Sequence, residues 1–358
     1  MSSHTNSQTS KVLGALLGVH AGDSLGATLE FMPWSDVIGQ YPKGLRDIIG
    51  GGAFRWSAGH ATDDTDLTRA VLLAYLDSSK SNDPDFNIAK ASAEYSLKWR
   101  DGDWPGRRKN SHPEDIGGAT DTGLHNYKIS RDTTTSGAGP DNAGNGSLMR
   151  CIPTGLFGAN SEERVRESMA ISEFTHDDER CTVACAAYNE IVAALVDGKS
   201  VREAVEIGKS IALDLHGEDV AAAISQGEKM DVEKMANEGP ENHGFSPTGY
   251  VLDSLKVSVA AVLDTRGLED VLVDVVRLGG DADTNGAIAG GLLGARDGVE
   301  GIPERWLEVL QFREQFEEVA REILRVQQAG RSEEDDSSRN CMYKRKFRAT
   351  SNGIQRYK

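Results

Sequence analysis

Cysteine is scarce in this 358-residue chain, with Cys151, Cys181, Cys185 and Cys341 its only four and no C-x-x-C pair among them. That argues against a disulfide scaffold or a thiolate zinc site, and leaves buried, reduced thiols as the expectation. Aromatic residues are also few, at 6%. Positive charge is in deficit, with 39 Lys and Arg against 56 Asp and Glu and a formal net charge of −17. Such a chain is a poor binder of DNA, RNA or an anionic membrane, so nucleic acid is not an expected partner. A small anionic ligand stays open, provided metals or backbone N–H groups supply local positive potential. No run of eighteen apolar residues occurs, and the start, MSSHTNSQTS, lacks a signal pattern; a soluble, cytoplasmic protein is expected. Convincing β alternation and any repeat of fixed period are missing as well.

What remains is helical. At 38% hydrophobic the chain can bury a real core. Residues 1–10 are polar and expected to be flexible, and Val12 to Gly18 then forms a helix dense in small residues that allows close approach of a neighbour. A Gly-rich loop from Ile48 to about Gly59 precedes a helix from about Asp64 to Leu76. Residues 101–147 are poor in apolar side chains and read as irregular, and so long a stretch inside a domain is usually functional. Helical patterns cover 161–173, 178–197, 200–214, 249–264, 267–277, 284–296 and 303–327, with a polar interval near 226–247. An all-α domain over 11–328 is the expected architecture. Residues 329–358 turn acidic and serine-rich, then basic, and read as a disordered tail; Lys344-Arg345-Lys346 is a weak nuclear-targeting signal.

Two acidic clusters carry the chemistry: Thr62-Asp63-Asp64-Thr65-Asp66 and Gly280-Asp281-Ala282-Asp283-Thr284, each opening a helix. Asp and Thr are ordinary helix caps. Two such clusters are harder to explain that way, because Asp63, Asp64, Asp281 and Asp283 carry four negative charges that would balance two divalent cations. Hard oxygen ligands suit Mg²⁺ or Mn²⁺. All-α terpene synthases also use aspartate-rich helices, but here the acids lie at helix starts and aromatic residues are few, which sets that reading aside. Between the clusters, Asn142 to Arg150 forms a Gly-rich loop whose N–H groups can cradle phosphates, and Thr175-His176-Asp177-Asp178 opens another helix.

Taken together, Gly22-Asp-Ser-Leu-Gly-Ala-Thr-Leu-Glu30, Gly50-Gly-Gly52, Thr62-Asp-Asp-Thr65, Asp115-Ile-Gly117, Gly144-Asn-Gly-Ser-Leu-Met-Arg150, Thr175-His176 and Leu278-Gly-Gly-Asp-Ala-Asp-Thr-Asn285 resemble the ADP-ribosylglycohydrolase family. The likeness is strongest to its branch around dinitrogenase reductase-activating glycohydrolase and the ADP-ribosylarginine hydrolases, and it covers nearly all of 11–328. The resemblance implies an orthogonal multi-helix bundle around a dinuclear Mg²⁺ or Mn²⁺ centre. It implies Thr62, Asp63, Asp64, Asp281, Asp283 and Thr284 as metal ligands. Asn145, Gly146, Ser147 and Met149 would hold the diphosphate and adjoining ribose, with His176 against the adenosine half. Asp64, Glu30 and Asp115 are the implied acid/base residues. The expected reaction is removal of ADP-ribose from a modified protein or small molecule, with arginine-linked ADP-ribose the first choice. Serine-linked ADP-ribose, O-acetyl-ADP-ribose and a nucleobase linkage are alternatives, and a non-catalytic, crystallin-like relative is the reading from another class.

Overall fold

Two antiparallel helices that meet along glycines set the centre of the fold. The computed structural model describes residues 2–329, with side chains from residue 7 onward. Helix α1 (Ser2–Gly26) lies against the helix Ala282–Asp297, which is α14 in chain order. Gly14 faces Gly294, Gly18 faces Gly290 and Gly22 faces Gly286, so that a methyl group added to any of them would sit 2.5 Å or less from a facing backbone carbonyl oxygen. The other faces of both helices carry fully buried Leu13, Leu16, Leu17, Ile288, Leu292 and Leu293. Each such side chain contributes roughly 1.5–3 kcal/mol on burial.

Between these two run α2 (Trp34–Gln40), α3 (Asp63–Lys80), α4 (Ile88–Arg100), α5 (Gly118–Ser130), α6 (Ile152–Phe157) and α7 (Ser161–Glu173). The chain continues through α8 (Glu179–Val196), α9 (Val201–Asp214), α10 (Glu218–Gly227), α11 (Val232–Glu238), α12 (Val251–Leu263) and α13 (Leu268–Arg277). After α14 come α15 (Glu304–Leu307) and a last helix, α16, over residues 313–329. Helix α8 is apolar on nearly every side and correspondingly buried from Cys181 to Val196. Its polar exceptions are partnered on most atoms: Glu190 accepts from Arg164 Nε at 2.6 Å, and Asn189 Nδ2 donates to Ser168 Oγ at 2.8 Å, while Asn189 Oδ1 has no partner. Cys151, Cys181 and Cys185 are free and buried, as expected. No β-strand occurs among the described residues, and none of their helices is long and apolar enough to cross a membrane.

Three expectations need correction. Helix α1 begins at Ser2, inside the stretch read as a flexible lead; Ser10 fastens it, bonding to the Glu300 carboxylate and accepting from the Val299 N–H. The segment 101–147 contains α5, whose weak helix formers are held from outside. Arg100 Nε reaches Asp121 at 2.7 Å, Tyr127 donates to Glu94 at 2.8 Å, and Gly123 lies against the Thr175 backbone. The single helix expected over 303–327 is broken at 308–312, where Gln311 and Phe312 turn their N–H groups to Gly59 O and His20 Nε2. The tail expectation, from residue 330 on, lies outside the described residues.

Candidate active site

The glycine seam runs directly into the acidic clusters. Beyond Gly26 the chain turns so that Phe31 N–H donates to Gly280 O at 2.8 Å and Gly280 N–H donates to Met32 O at 2.9 Å. These two bonds set Glu30 beside the start of α14. Gly280 has a φ of +65° and comes so close to Pro247 that an added Cβ would lie 2.0 Å from its carbonyl oxygen, so no other residue fits. The first cluster is placed by Asp23, which accepts from Thr62 N–H at 3.1 Å and from the Thr65 hydroxyl. Thr62 in turn caps α3, its hydroxyl accepting from Asp64 N–H and donating to Asp64 Oδ2 at 3.2 Å.

The result is a cleft of about 550 Å³. Of the residues expected in a site, Glu30, Asp63, Asp115, Asn145, Gly146, Met149, His176, Asp281, Asp283 and Thr284 all line it. Carboxylate oxygens of Glu30, Asp115 and Asp283 lie within 4.8 Å of one another. Asp64 is fully buried behind this surface, and Thr62 faces a neighbouring cavity. The Ser147 side chain is a correction: it points into the core, where its hydroxyl accepts from Ser172 Oγ at 2.8 Å and lies 3.5 Å from Cys185 Sγ. Helical closure of the loop, with Met149 N–H on Asn145 O, turns that side chain away from the cleft.

Electrostatically the cleft is strained. Burial, then the charges of Asp115, Asp281, Asp63 and Asp23, pushes the Glu30 carboxyl up to about 9. Asp23 is raised to about 7, mainly by burial, and Asp115 to about 6 by burial and Asp281. Burial first, then neighbouring carboxylates, raises Asp63, Asp64 and Asp283 well above the usual range. Buried oxygens of Asp23, Glu30, Asp64 and Asp283 have no hydrogen-bond partner, nor do both side-chain polar atoms of Asn285. A set of hard oxygen donors that repel one another and lack partners fits divalent cations.

The opposite wall is neutral and glycine-rich. Asn145 Nδ2 donates to Asp281 Oδ2 at 2.6 Å and to Ser254 Oγ at 2.9 Å, joining the loop to the acidic wall. Arg150, fully buried, donates to Gly146 O at 2.7 Å, Ile171 O at 2.9 Å and Thr175 Oγ1 at 2.7 Å, and stacks on Phe174. Thr175 Oγ1 also meets His176 Nδ1 at 2.8 Å, and burial lowers that imidazole to about 3, so it is neutral. Sequence reasoning missed Thr120, in the first turn of α5. Its buried Oγ1 has no partner and lies near Gly146, and Gly117 and Gly118 expose the α5 N-terminus to the same cleft. The Asp-Ile-Gly motif beside it was the available signal.

Residues 4–333 match the sequence profile of the ADP-ribosylglycohydrolases. The chain belongs to the ADP-ribosylglycohydrolase family. The ADP-ribosyl-[dinitrogen reductase] glycohydrolase of Rhodospirillum rubrum is 30% identical over 325 residues, covering 88% of this chain and 93% of that protein. An ADP-ribosylarginine hydrolase of Pseudomonas putida is 28% identical over 317 residues, 87% of this chain and 76% of the relative. A solved structure titled as an ADP-ribosylglycohydrolase-related protein complex superposes with a TM-score of 0.73 at 27% identity, over 90% of this chain and 99% of its own. The chain is therefore an enzyme, an ADP-ribosylglycohydrolase with the family's all-α bundle.

Proposed function

We propose that this ADP-ribosylglycohydrolase cleaves the N-glycosidic bond joining ADP-ribose to the guanidino group of a modified arginine, with two divalent cations, Mg²⁺ or Mn²⁺, in its cleft. One observation carries the reading: the carboxylates of Glu30, Asp115 and Asp283 converge within 4.8 Å beside a glycine-rich wall suited to a diphosphate. The arginine linkage is supported by the named activity of the Pseudomonas putida relative. Thr62, Asp63, Asp64, Asp281, Asp283 and Thr284 would hold the cations. When bound, such cations supply positive potential at the ribose hydroxyls and lower the pKa of water.

The chain's own residues do the positioning and the proton transfer. The Asn145–Met149 loop, through the backbone N–H groups of Gly146–Leu148, and the α5 N-terminus hold the diphosphate, and His176 lies against the adenosine half. Hydrolysis forms a bond from water oxygen to the anomeric carbon as the carbon–nitrogen bond breaks. Its electron pair goes to the guanidine nitrogen, which takes up a proton. Glu30, Asp64 and Asp115 are the carboxylates that accept the proton of the water and return one to the leaving group. Charge developing on the ribose is met by the same acidic wall.

The test is an assay on arginine-, serine- and acetyl-linked ADP-ribose with Mg²⁺ or Mn²⁺, following free ADP-ribose. Arginine-linked substrate is expected to turn over, with activity lost in chelator and restored by metal. Turnover of the serine linkage alone would overturn the acceptor, and so would no turnover of any of the three. In a thermal shift measurement, cation at about 100 times its Kd stabilises by about 2.7 kcal/mol if it binds only the folded state.

The diphosphate wall makes its own prediction. A Cβ on Gly146 would stand 2.9 Å from both His176 Cε1 and Thr120 Oγ1. Gly146→Ala should lower kcat/KM about 10- to 100-fold by displacing the ligand. Calorimetry with ADP-ribose should show the loss as weaker binding; unchanged affinity would remove this loop from the site.

A further inference from the structure

A second cavity, of about 350 Å³, adjoins the cleft, and Asp63 and Asp115 line both. These two carboxylates form the partition between them. Across the second cavity Trp56 and His60 stack, with ring centroids 4.4 Å apart and planes 14° from parallel. The aromatic row continues from Trp56 to Phe54 at 5.4 Å and on to Phe31 at 6.2 Å. Phe31 is 64% exposed and lines the mouth of the cleft. One line of rings therefore joins the two cavities.

The backbone is built to hold that row. Gly51 and Trp56 exchange two N–H to O bonds of 2.8 Å, closing a tight loop. Gly50, Gly51, Gly52 and Arg55 all take positive φ, and Thr28 Oγ1 donates to Gly50 O at 3.0 Å, fastening the loop to the end of α1. Phe31 itself has a φ of +62°, a strained conformation for a bulky residue that places its ring at the rim.

The charges are unevenly committed. Arg107 donates to Trp99 O and to Ser111 O and Oγ, and Asp66 accepts from the indole N–H groups of Trp99 and Trp104. Of the other polar side chains, Arg108, His112 and Glu114 are exposed, while Asp63 and Asp115 face inward at the partition. Glu114 is near enough to act on the His60 imidazole. With Asp63 assigned to a cation, Asp115 and Glu114 keep the cavity acidic, and its side wall is aromatic. A guanidinium matches this pairing: it is planar, stacks on aromatic faces and presents donors to carboxylates.

Resting on the function proposed above, we infer that this second cavity is the acceptor subsite: the modified arginine side chain crosses the Asp63–Asp115 partition and lies along Trp56 and His60, and leaves by that route after cleavage. ADP-ribose stays on the cleft side, so the two halves of the substrate are recognised by separate walls.

The experiment compares Trp56→Ala, Trp56→Phe and Glu114→Gln with wild type, in the presence of Mn²⁺, on an ADP-ribosyl-arginine peptide and in calorimetric binding of free ADP-ribose. Trp56→Ala should lower kcat/KM about 5- to 30-fold, the range of a stacked cation. Trp56→Phe should stay close to wild type, because the Trp56 indole N–H has no partner to lose. Glu114→Gln, at an exposed position, should cost about threefold. All three should bind ADP-ribose within about twofold of wild type, since the acceptor wall is separate. Unchanged turnover in Trp56→Ala and Glu114→Gln would overturn the subsite alone. Parallel loss of turnover and ADP-ribose affinity in Trp56→Ala would also overturn it, by tying the tryptophan to the cleft. Wild type that fails on the arginine linkage would overturn the proposed function and the subsite together.

Discussion

Asp283→Asn will inactivate the enzyme and, in chelator, leave it more stable than wild type. The buried Asp283 carboxylate has one oxygen without a partner and is opposed first by desolvation, then by Asp64, Glu30, Asp281 and Asp115. An amide of the same shape removes the charge at little cost in packing. The gain should be roughly 1–2 kcal/mol, the usual scale when a strained active site is relaxed. The effect on turnover should exceed the 10- to 100-fold typical of groups that only orient a metal ligand, so a loss beyond about 100-fold is expected. Calorimetric scans of both proteins, in chelator and in excess Mn²⁺, check the two halves together. The order of melting temperatures should invert: the variant higher without cation, the wild type higher with it. A variant less stable in chelator would mean that the carboxylate is already satisfied without cations, and retained activity would remove it from the ligand set.

The same excess of buried negative charge made the acidic clusters legible. Thr62 and the aspartates after it look like a cap, and they are one: Thr62 caps α3, which starts at Asp63. The excess of charge over what a cap requires was the informative part, and in the fold it is larger than the four aspartates alone, since Asp23, Glu30 and Asp115 join them. Asp23 stood inside a recognised motif, but nothing in local spacing says that it bonds Thr62 and Thr65. The same limit hid α5. Gly118, Thr120, Asp121, Thr122 and Gly123 are weak helix formers, and the helix exists because α4 and the Thr175 segment hold it. Periodicity reports which face a segment buries, not which partner waits for it. Residues 308–312 fail for that reason too, their helical pattern overridden by bonds to Gly59 and His20. Ser147 belongs to the loop by sequence, yet its side-chain direction depends on backbone angles that sequence does not state.

The density of small residues in α1 was readable as an invitation to close contact, and the seam with α14 gives it a measurable cost. Gly18→Ala is expected to destabilise by about 3 kcal/mol or more, at or beyond the upper end of ordinary overpacking. Its Cβ would stand 2.2 Å from Gly290 O and 2.9 Å from Gly290 C. Those are backbone atoms of a buried helix, and no side chain can rotate aside to relieve them. The two helices would have to separate, and separation loosens the contacts that bring Glu30 to Asp283 at the far end. The melting temperature should fall by about 6 °C or more. Gly39→Ala is the matched control, because Gly39 lies in helix α2 with nothing within 4 Å of an added Cβ. There the same change should be neutral or stabilise by about 0.5–1 kcal/mol through helix propensity and a less flexible unfolded chain. Denaturation of both variants beside wild type separates the seam from a general intolerance of glycine replacement. Equal, small effects at the two positions would mean that α1 and α14 shift apart at little cost, and that the site is positioned by its hydrogen bonds to Gly280 instead.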